Sequence, residues 1–235
     1  MITYLDILMP FVTFICAYLI GSIPVSVIFG KILHKQNIME HGSKNPGGTN
    51  ATRLWGKKIG FTIILLDILK GALPIWIAIC VFRLTELKTL MLVDSNSWAI
   101  WLAALGSVVG HCFSIFLKFK GGKGVATTVG AIASTSVLQL IVGIITFFTT
   151  LTIKKMVSLA SIIINVIGTC LAWTLFILSN VGYANFVNNS FVFDPNLLSI
   201  NLAYPIVMTL ICVVVTIRHS QNIVRMLKGT ERTIK

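Results

Sequence analysis

Residues 125–153 read VATTVGAIASTSVLQLIVGIITFFTTLTI, an apolar run with Lys123 before it and Lys154 and Lys155 directly after it. The chain around this run is 56% apolar and only 11% charged, with a mean hydropathy of +0.91. A soluble domain carries about 25% charged residues, so this chain cannot cover a water-facing surface. Apolar runs of about 20 residues in such a chain are membrane spans. Others lie at about 7–30, 59–82, 98–117, 157–178 and 199–217.

The net charge of +12 is unevenly spread. Lys31, Lys35, Lys44, Arg53, Lys57 and Lys58 fall in one connecting segment, Lys118, Lys120 and Lys123 in a second, and Lys154 and Lys155 in a third. The tail carries Arg218, Arg225, Lys228, Arg232 and Lys235. The N-terminus with Asp6, 83–97 with Arg83, Glu86, Lys88 and Asp94, and 179–198 with Asp194 are acidic or mixed. The positive-inside rule places the basic set in the cytoplasm. The chain is then inside at Lys123 and inside again at Lys154. An even number of crossings must fit into about 28 residues, where two full spans need about 40. The run is therefore expected to be a hairpin of two short or tilted helices, or a re-entrant element buried among other helices. Its small residues from Val125 to Ser136 permit close helix contact.

The resulting expectation is an all-α integral membrane protein forming a single polytopic domain over 1–235. It has seven transmembrane helices, the N-terminus outside, the C-terminus cytoplasmic and a short-helix hairpin around 125–153. The first charged side chain is Asp6, so there is no basic leader and the first run reads as a retained span. The five cysteines lie in or beside apolar runs without metal-ligand spacing and read as small hydrophobes. Asp67 and Lys70 stand inside the second run at a spacing that permits an intrahelical pair.

Three basic segments carry the chemistry. Ser43-Lys44-Asn45-Pro46-Gly47-Gly48-Thr49-Asn50-Ala51-Thr52-Arg53 packs hydroxyl and amide side chains between glycines and ends in arginine. Glycines let backbone N–H groups approach an oxyanion, and arginine offers a planar fork for phosphate. Lys120-Gly121-Gly122-Lys123-Gly124 turns into a helix whose N-terminus faces the cytoplasm, an anion site of free N–H groups, positive dipole and lysine. It is not a Walker A loop, because Gly124 rather than Ser or Thr follows Lys123. In the third segment, His219 and Asn222 would share a face with Arg225 and Met226 if the last helix continues.

Taken in order, Ser43–Arg53, His111–Gly124 and Arg218–Glu231 resemble the three cytoplasmic motifs of the bacterial acyl-phosphate:glycerol-3-phosphate acyltransferases, the PlsY family. The resemblance covers nearly the whole chain. It implies transfer of a fatty acyl group from acyl phosphate to the 1-hydroxyl of glycerol 3-phosphate, giving lysophosphatidate and phosphate, the first step of bacterial phospholipid biosynthesis. It implies catalytic roles for Ser43, Arg53, Lys123, His219 and Asn222. Substrate binding falls to Asn45, Gly47, Thr49, Asn50, His111, Gly121, Gly122, Gly124, Arg218 and Arg225, with Glu231 structural, tying down the tail. Gly48 stands where the family commonly has alanine, which should only loosen the loop, and Ser114 where it commonly has proline.

The expected setting is the bacterial cytoplasmic membrane, with the site facing the cytoplasm. The expected partners are the two substrates, the lipid bilayer and a functional link to the enzyme that forms acyl phosphate. The chain is expected to act as a monomer without metal, cofactor or nucleic acid. A transporter would need polar residues at mid-bilayer and access from both sides, whereas here the polar motifs gather on one face. A scaffold whose basic loops merely attract anionic headgroups leaves the Gly-Gly-Lys-Gly run and Ser43 unexplained.

Overall fold

The structure, a computed structural model, describes residues 3–85, 93–188, 191 and 200–234. It is all-helical there, apart from an isolated antiparallel bridge between Ser136 and Phe191. Helices α1 (Tyr4–Ser22) and α2 (Val25–His34) are separated by Ile23 and Pro24. A 3-10 turn (Ile38–Glu40) leads to α3 (Gly48–Trp55), α4 (Lys57–Leu84) and α5 (Val93–Cys112). After a second 3-10 turn (Ile115–Leu117) come α6 (Val125–Ala133), α7 (Val137–Lys154) and α8 (Val157–Asn180). The chain ends with α9 (Ala184–Asn188), α10 (Ala203–Arg218) and α11 (Ser220–Leu227). Glu86, Lys88, Asp94 and Asp194, used above to mark the external side, lie outside the described side chains.

Among the described residues, five stretches are long and apolar enough to cross a membrane: Tyr4–His34, Lys57–Leu84, Asn96–Leu117, Val137–Lys154 and Val157–Asn180. Helices α10 and α11 make a sixth if taken together, bent by 60°. The expected seventh crossing falls on α6, whose nine residues reach only about 13 Å at 1.5 Å each, under half of a bilayer core. The hairpin at 125–153 is thus unequal, a nine-residue helix followed by an 18-residue one.

Helix α6 can be short because it starts well inside the bundle. The loop before it folds back onto the end of α5, with the Gly121 N–H on the Cys112 carbonyl at 3.1 Å and the Gly122 N–H on the His111 carbonyl at 2.9 Å. From there α6 lies against the middle of α4, where Gly71 and Gly130 bring the two backbones together. Small residues at such contacts replace the hydrophobic drive that lipid does not supply.

Helix α5 is the central strut, packed on α1, α4 and α10. Trp101 of α5 and Tyr204 of α10 stack with ring centroids 4.6 Å apart, and the Tyr204 hydroxyl donates to Gln139 of α7 at 2.9 Å. That bond answers a phenol that would otherwise be stranded in an apolar interior. Helix α7 leans outward, with Ile141, Ile145 and Phe148 about half exposed or more, as a lipid-facing surface requires.

Candidate active site

The first basic segment is held from inside by Asn50. Its Oδ1 accepts the Ser43 N–H at 2.9 Å, and its Nδ2 donates to the carbonyls of His41 at 3.1 Å and Ile38 at 3.3 Å. With both ends of its amide engaged and the residue buried, Asn50 shapes the loop; the phosphate contact expected of it has no free group to make it. The result is an exposed Ser43 at the turn and Thr49 and Arg53 presented from α3. Gly48 does not loosen this loop: a Cβ there would press on Ile64 and on the Gly60 carbonyl, so it lets α3 lie close on α4.

The second segment is clasped from two sides. Arg218 donates from Nε to the Gly122 carbonyl at 2.9 Å and from Nη2 to the Gly121 carbonyl at 2.6 Å. Its guanidinium also lies over the Phe113 ring at 5.5 Å. Ser114 donates to the Ser22 carbonyl at 2.6 Å, and α5 ends at Cys112 without a proline. Gly124, at φ 84°, ends the loop in the left-handed conformation that opens α6. Behind the loop, Asp67 faces Lys70 at 3.1 Å and His111 at 3.5 Å, and Lys70 donates to the Ile23 carbonyl at 2.9 Å.

The last helix does not continue straight through the third segment. It bends at His219, whose ring Nδ1 sits 2.8 Å from the Val215 carbonyl. Nδ1 must then be the donor, which leaves Nε2 of the neutral ring as an acceptor. Beyond the bend, Asn222 links the segments. Its Oδ1 accepts from Lys123 Nζ at 2.6 Å, and its Nδ2 donates to Ser158 Oγ at 2.6 Å and Glu231 Oε1 at 2.7 Å. Glu231 also accepts from Ser158 at 2.6 Å and from Arg225 Nε at 2.9 Å. Although burial pushes the Glu231 carboxyl up, these hydrogen bonds from Ser158, Asn222 and Arg225 hold it below the usual carboxylate range.

All three segments open on one cavity of about 970 Å³. Its polar end is lined by Ser43, Asn45, Gly47, Thr49, Arg53, His111, Gly121, Lys123, Gly124, Arg218, His219, Asn222 and Arg225, with Glu231 and Arg232 from the tail. Gly122 was expected to touch substrate, yet it is buried behind this wall against the His111 ring. From the polar end the cavity runs along Phe61, Ile64 and Ile68 of α4, Val129 and Ile132 of α6, Ile144 and Phe147 of α7, and Ile164 and Ile167 of α8. Desolvation first, then the nearby cations Arg225, Arg53 and Arg218 against Glu231, bring the Lys123 ammonium down to about 8. The polar end is therefore a partly desolvated, cation-rich chamber suited to oxyanions, joined to an apolar channel.

The family model for glycerol-3-phosphate acyltransferase matches residues 11–229. The chain belongs to the glycerol-3-phosphate acyltransferase family. A relative of that name from Bacillus subtilis (strain 168) is 39% identical over 221 residues, covering 94% of this chain and 95% of the relative. Another from Acholeplasma laidlawii is 33% identical over 230 residues, covering 98% and 95%. The crystal structure of PlsY, an integral membrane glycerol 3-phosphate acyltransferase, in its glycerol 3-phosphate form has a TM-score of 0.74 at 29% identity, over 96% of both chains. Its lysophosphatidic acid form gives 0.71. The protein is thus an all-α integral membrane acyltransferase of the PlsY type. Ser158 lines the cavity without having been singled out by sequence reasoning, and Arg232 was read there only as one of the basic tail residues. Ser158 follows a Lys-Lys pair at the start of a span and carries no motif of its own.

Proposed function

We propose that the protein transfers a fatty acyl group from an acyl phosphate to the 1-hydroxyl of glycerol 3-phosphate, releasing lysophosphatidate and inorganic phosphate at the cytoplasmic face of the bacterial inner membrane. The observation that carries this reading is the single cavity with two characters. An acyl phosphate has a phosphate head and a long apolar tail, and the cationic chamber and the channel along α4, α6, α7 and α8 match them in order. The acceptor brings a second phosphate to the same chamber. Arg53, Lys123 and the N–H groups at the start of α6 supply the opposing charge and donors.

The mechanism that fits is direct attack. The acceptor hydroxyl oxygen forms a bond to the acyl carbon, the bond from that carbon to the phosphate oxygen breaks, and the hydroxyl proton passes to a phosphate oxygen of the donor. Among the described residues no hydrogen bond joins the Ser43 hydroxyl to a histidine or a carboxylate, the partner a serine nucleophile needs. Ser43 instead faces the chamber as a donor for a substrate oxygen. His219, with Nε2 bare, accepts a hydrogen bond from the glycerol and orients it, so that positioning carries much of the rate.

Purified protein given radiolabelled glycerol 3-phosphate is expected to form lysophosphatidate with a synthetic acyl phosphate and not with an acyl thioester. Product from the thioester alone would overturn the donor assignment. Because burial brings the Lys123 ammonium down to about 8, activity should depend on pH. Above about pH 8 the ammonium loses its proton and its charge, so kcat/KM for glycerol 3-phosphate should fall as pH rises from 8 to 9.5. The Lys123→Arg variant, whose charge persists, should not show that fall. A flat wild-type profile over that range would contradict a charged Lys123 in binding.

The same reading has seven crossings, with α6 completing a partial one, the N-terminus outside and Lys44, Lys123 and Lys154 inside. In a variant freed of Cys16, Cys80, Cys112, Cys170 and Cys212, single cysteines at positions 44, 123 and 154 should resist a membrane-impermeant thiol reagent in intact cells. Labelling at 44 or 123 would sink the topology.

A further inference from the structure

The C-terminal tail closes one side of the chamber, and it brings a cation of its own. After α11, the Thr230 N–H returns to the Arg225 carbonyl at 2.8 Å, and Glu231 is fixed by Ser158, Asn222 and Arg225. Three residues on, the Ile234 N–H donates to the Lys155 carbonyl at 2.8 Å, at the turn between α7 and α8. The strand of tail between these two anchors is a strap across the chamber from α11 to the start of α8. Arg232 lies within the strap and lines the same cavity as Arg53.

Charge accounting sets Arg232 apart. Glu231 is the acid next to it, and that carboxylate is already engaged by Arg225, Asn222 and Ser158. Asp67, the other acid on the cavity wall, is paired with Lys70. Arg218 holds the glycine loop. Among the described residues, no ion pair or hydrogen bond takes up the Arg232 guanidinium. Burial first, and then the charge of Arg232, push the Arg53 guanidinium below its usual value, with Glu231 opposing, so the charge of Arg232 is felt at Arg53. Two like charges held at one chamber repel until an anion enters between them.

We propose that Arg232 is a phosphate-binding residue, a second guanidinium that works with Arg53 to hold a substrate phosphate, and that the anchored tail exists to carry it. This rests on the acyltransferase reading for the identity of the phosphate but not for its chemistry: the ligand is a phosphate dianion, from glycerol 3-phosphate or from the donor head. An arginine pair gives such a dianion planar, directional contacts that one lysine cannot.

The test separates binding from turnover. Binding of radiolabelled glycerol 3-phosphate, and of inorganic phosphate as its competitor, is measured on the purified full-length protein for the wild type, R232Q, R232K and T233A. The expected result is binding at least about fivefold weaker in R232Q, partial recovery in R232K and wild-type binding in T233A. Steady-state assays then vary each substrate in turn, and the KM that rises more than kcat falls in R232Q names the phosphate concerned. Equal weakening in R232Q and T233A would make the strap a structural brace and overturn the proposal, as would wild-type binding and KM values in a folded R232Q. Should the wild type bind glycerol 3-phosphate and yet make no product from acyl phosphate, the donor assignment fails while the Arg232 result still stands on binding.

Discussion

Replacing Lys123 with alanine is expected to lower kcat/KM at least tenfold, and Arg53→Ala to do the same, each about 1.4 kcal/mol or more of transition-state stabilisation. Lys123 is the cation built into the glycine loop, and its Nζ lies 2.6 Å from Asn222 Oδ1. It is therefore the joint between the second and third segments as well as a charge. Alanine removes the charge and leaves the Asn222 oxygen without its donor, while Ser158 and Glu231 still hold the other end of that amide. Arg53 comes from α3, is exposed and lines the chamber, so its loss should leave the fold intact and act on the substrate alone. Each chamber cation faces an anion in a partly desolvated space, where a missing partner costs more than it would in water. Steady-state kinetics on folded, monodisperse protein checks both variants, and wild-type values in the two together would refute the site.

Gly121→Ala should do more damage, a loss of about 100-fold in kcat. A Cβ at this position would drive into the backbone carbonyl of His111, the same carbonyl that accepts the Gly122 N–H. Backbone cannot rotate away as a side chain can, so the loop must shift and Lys123 shifts with it. A displacement of about 1 Å in a positioned group is enough for a loss of that order. At Gly122 an added Cβ would instead press on the His111 ring, beside Asp67. Gly122→Val should mainly raise the KM for glycerol 3-phosphate, because a ring can yield where a carbonyl cannot. Kinetics of the two variants side by side distinguishes these effects. A Gly121→Ala enzyme within a few-fold of the wild type would show that the loop is not held where its hydrogen bonds put it.

Much of this is visible in the order of the residues, for definite reasons. On the positive-inside reading, charge asymmetry assigns each loop a side, and Lys123 and Lys154 then demand a hairpin between them. The same parity could not reveal that α6 has only nine residues, because its length depends on how far the glycine loop folds back onto α5. The Asp67–Lys70 pair follows from helical spacing, but His111 joins it from another helix and no local pattern points there. Asn50 reads as a phosphate ligand by composition, since an amide beside glycines and hydroxyls suits one. Only its three bonds to the loop backbone show an internal brace. His219 and Asn222 would share a face if the last helix continued, and the 60° bend between α10 and α11 makes that stretch a junction instead. Arg232 reads as one more cytoplasmic arginine until the Ile234–Lys155 bond draws the tail across the chamber.

The central claim is that one chamber brings two phosphate-bearing substrates together for direct transfer, with no acyl group resting on the protein. Purified protein mixed with isotopically labelled acyl phosphate alone, quenched within the first turnover and weighed intact, tests it most directly. The account predicts an unmodified protein mass, formation of lysophosphatidate once glycerol 3-phosphate is added, and residual turnover by Ser43→Ala above the uncatalysed background. An acyl adduct on Ser43 that passes to glycerol 3-phosphate at a rate matching kcat would contradict it.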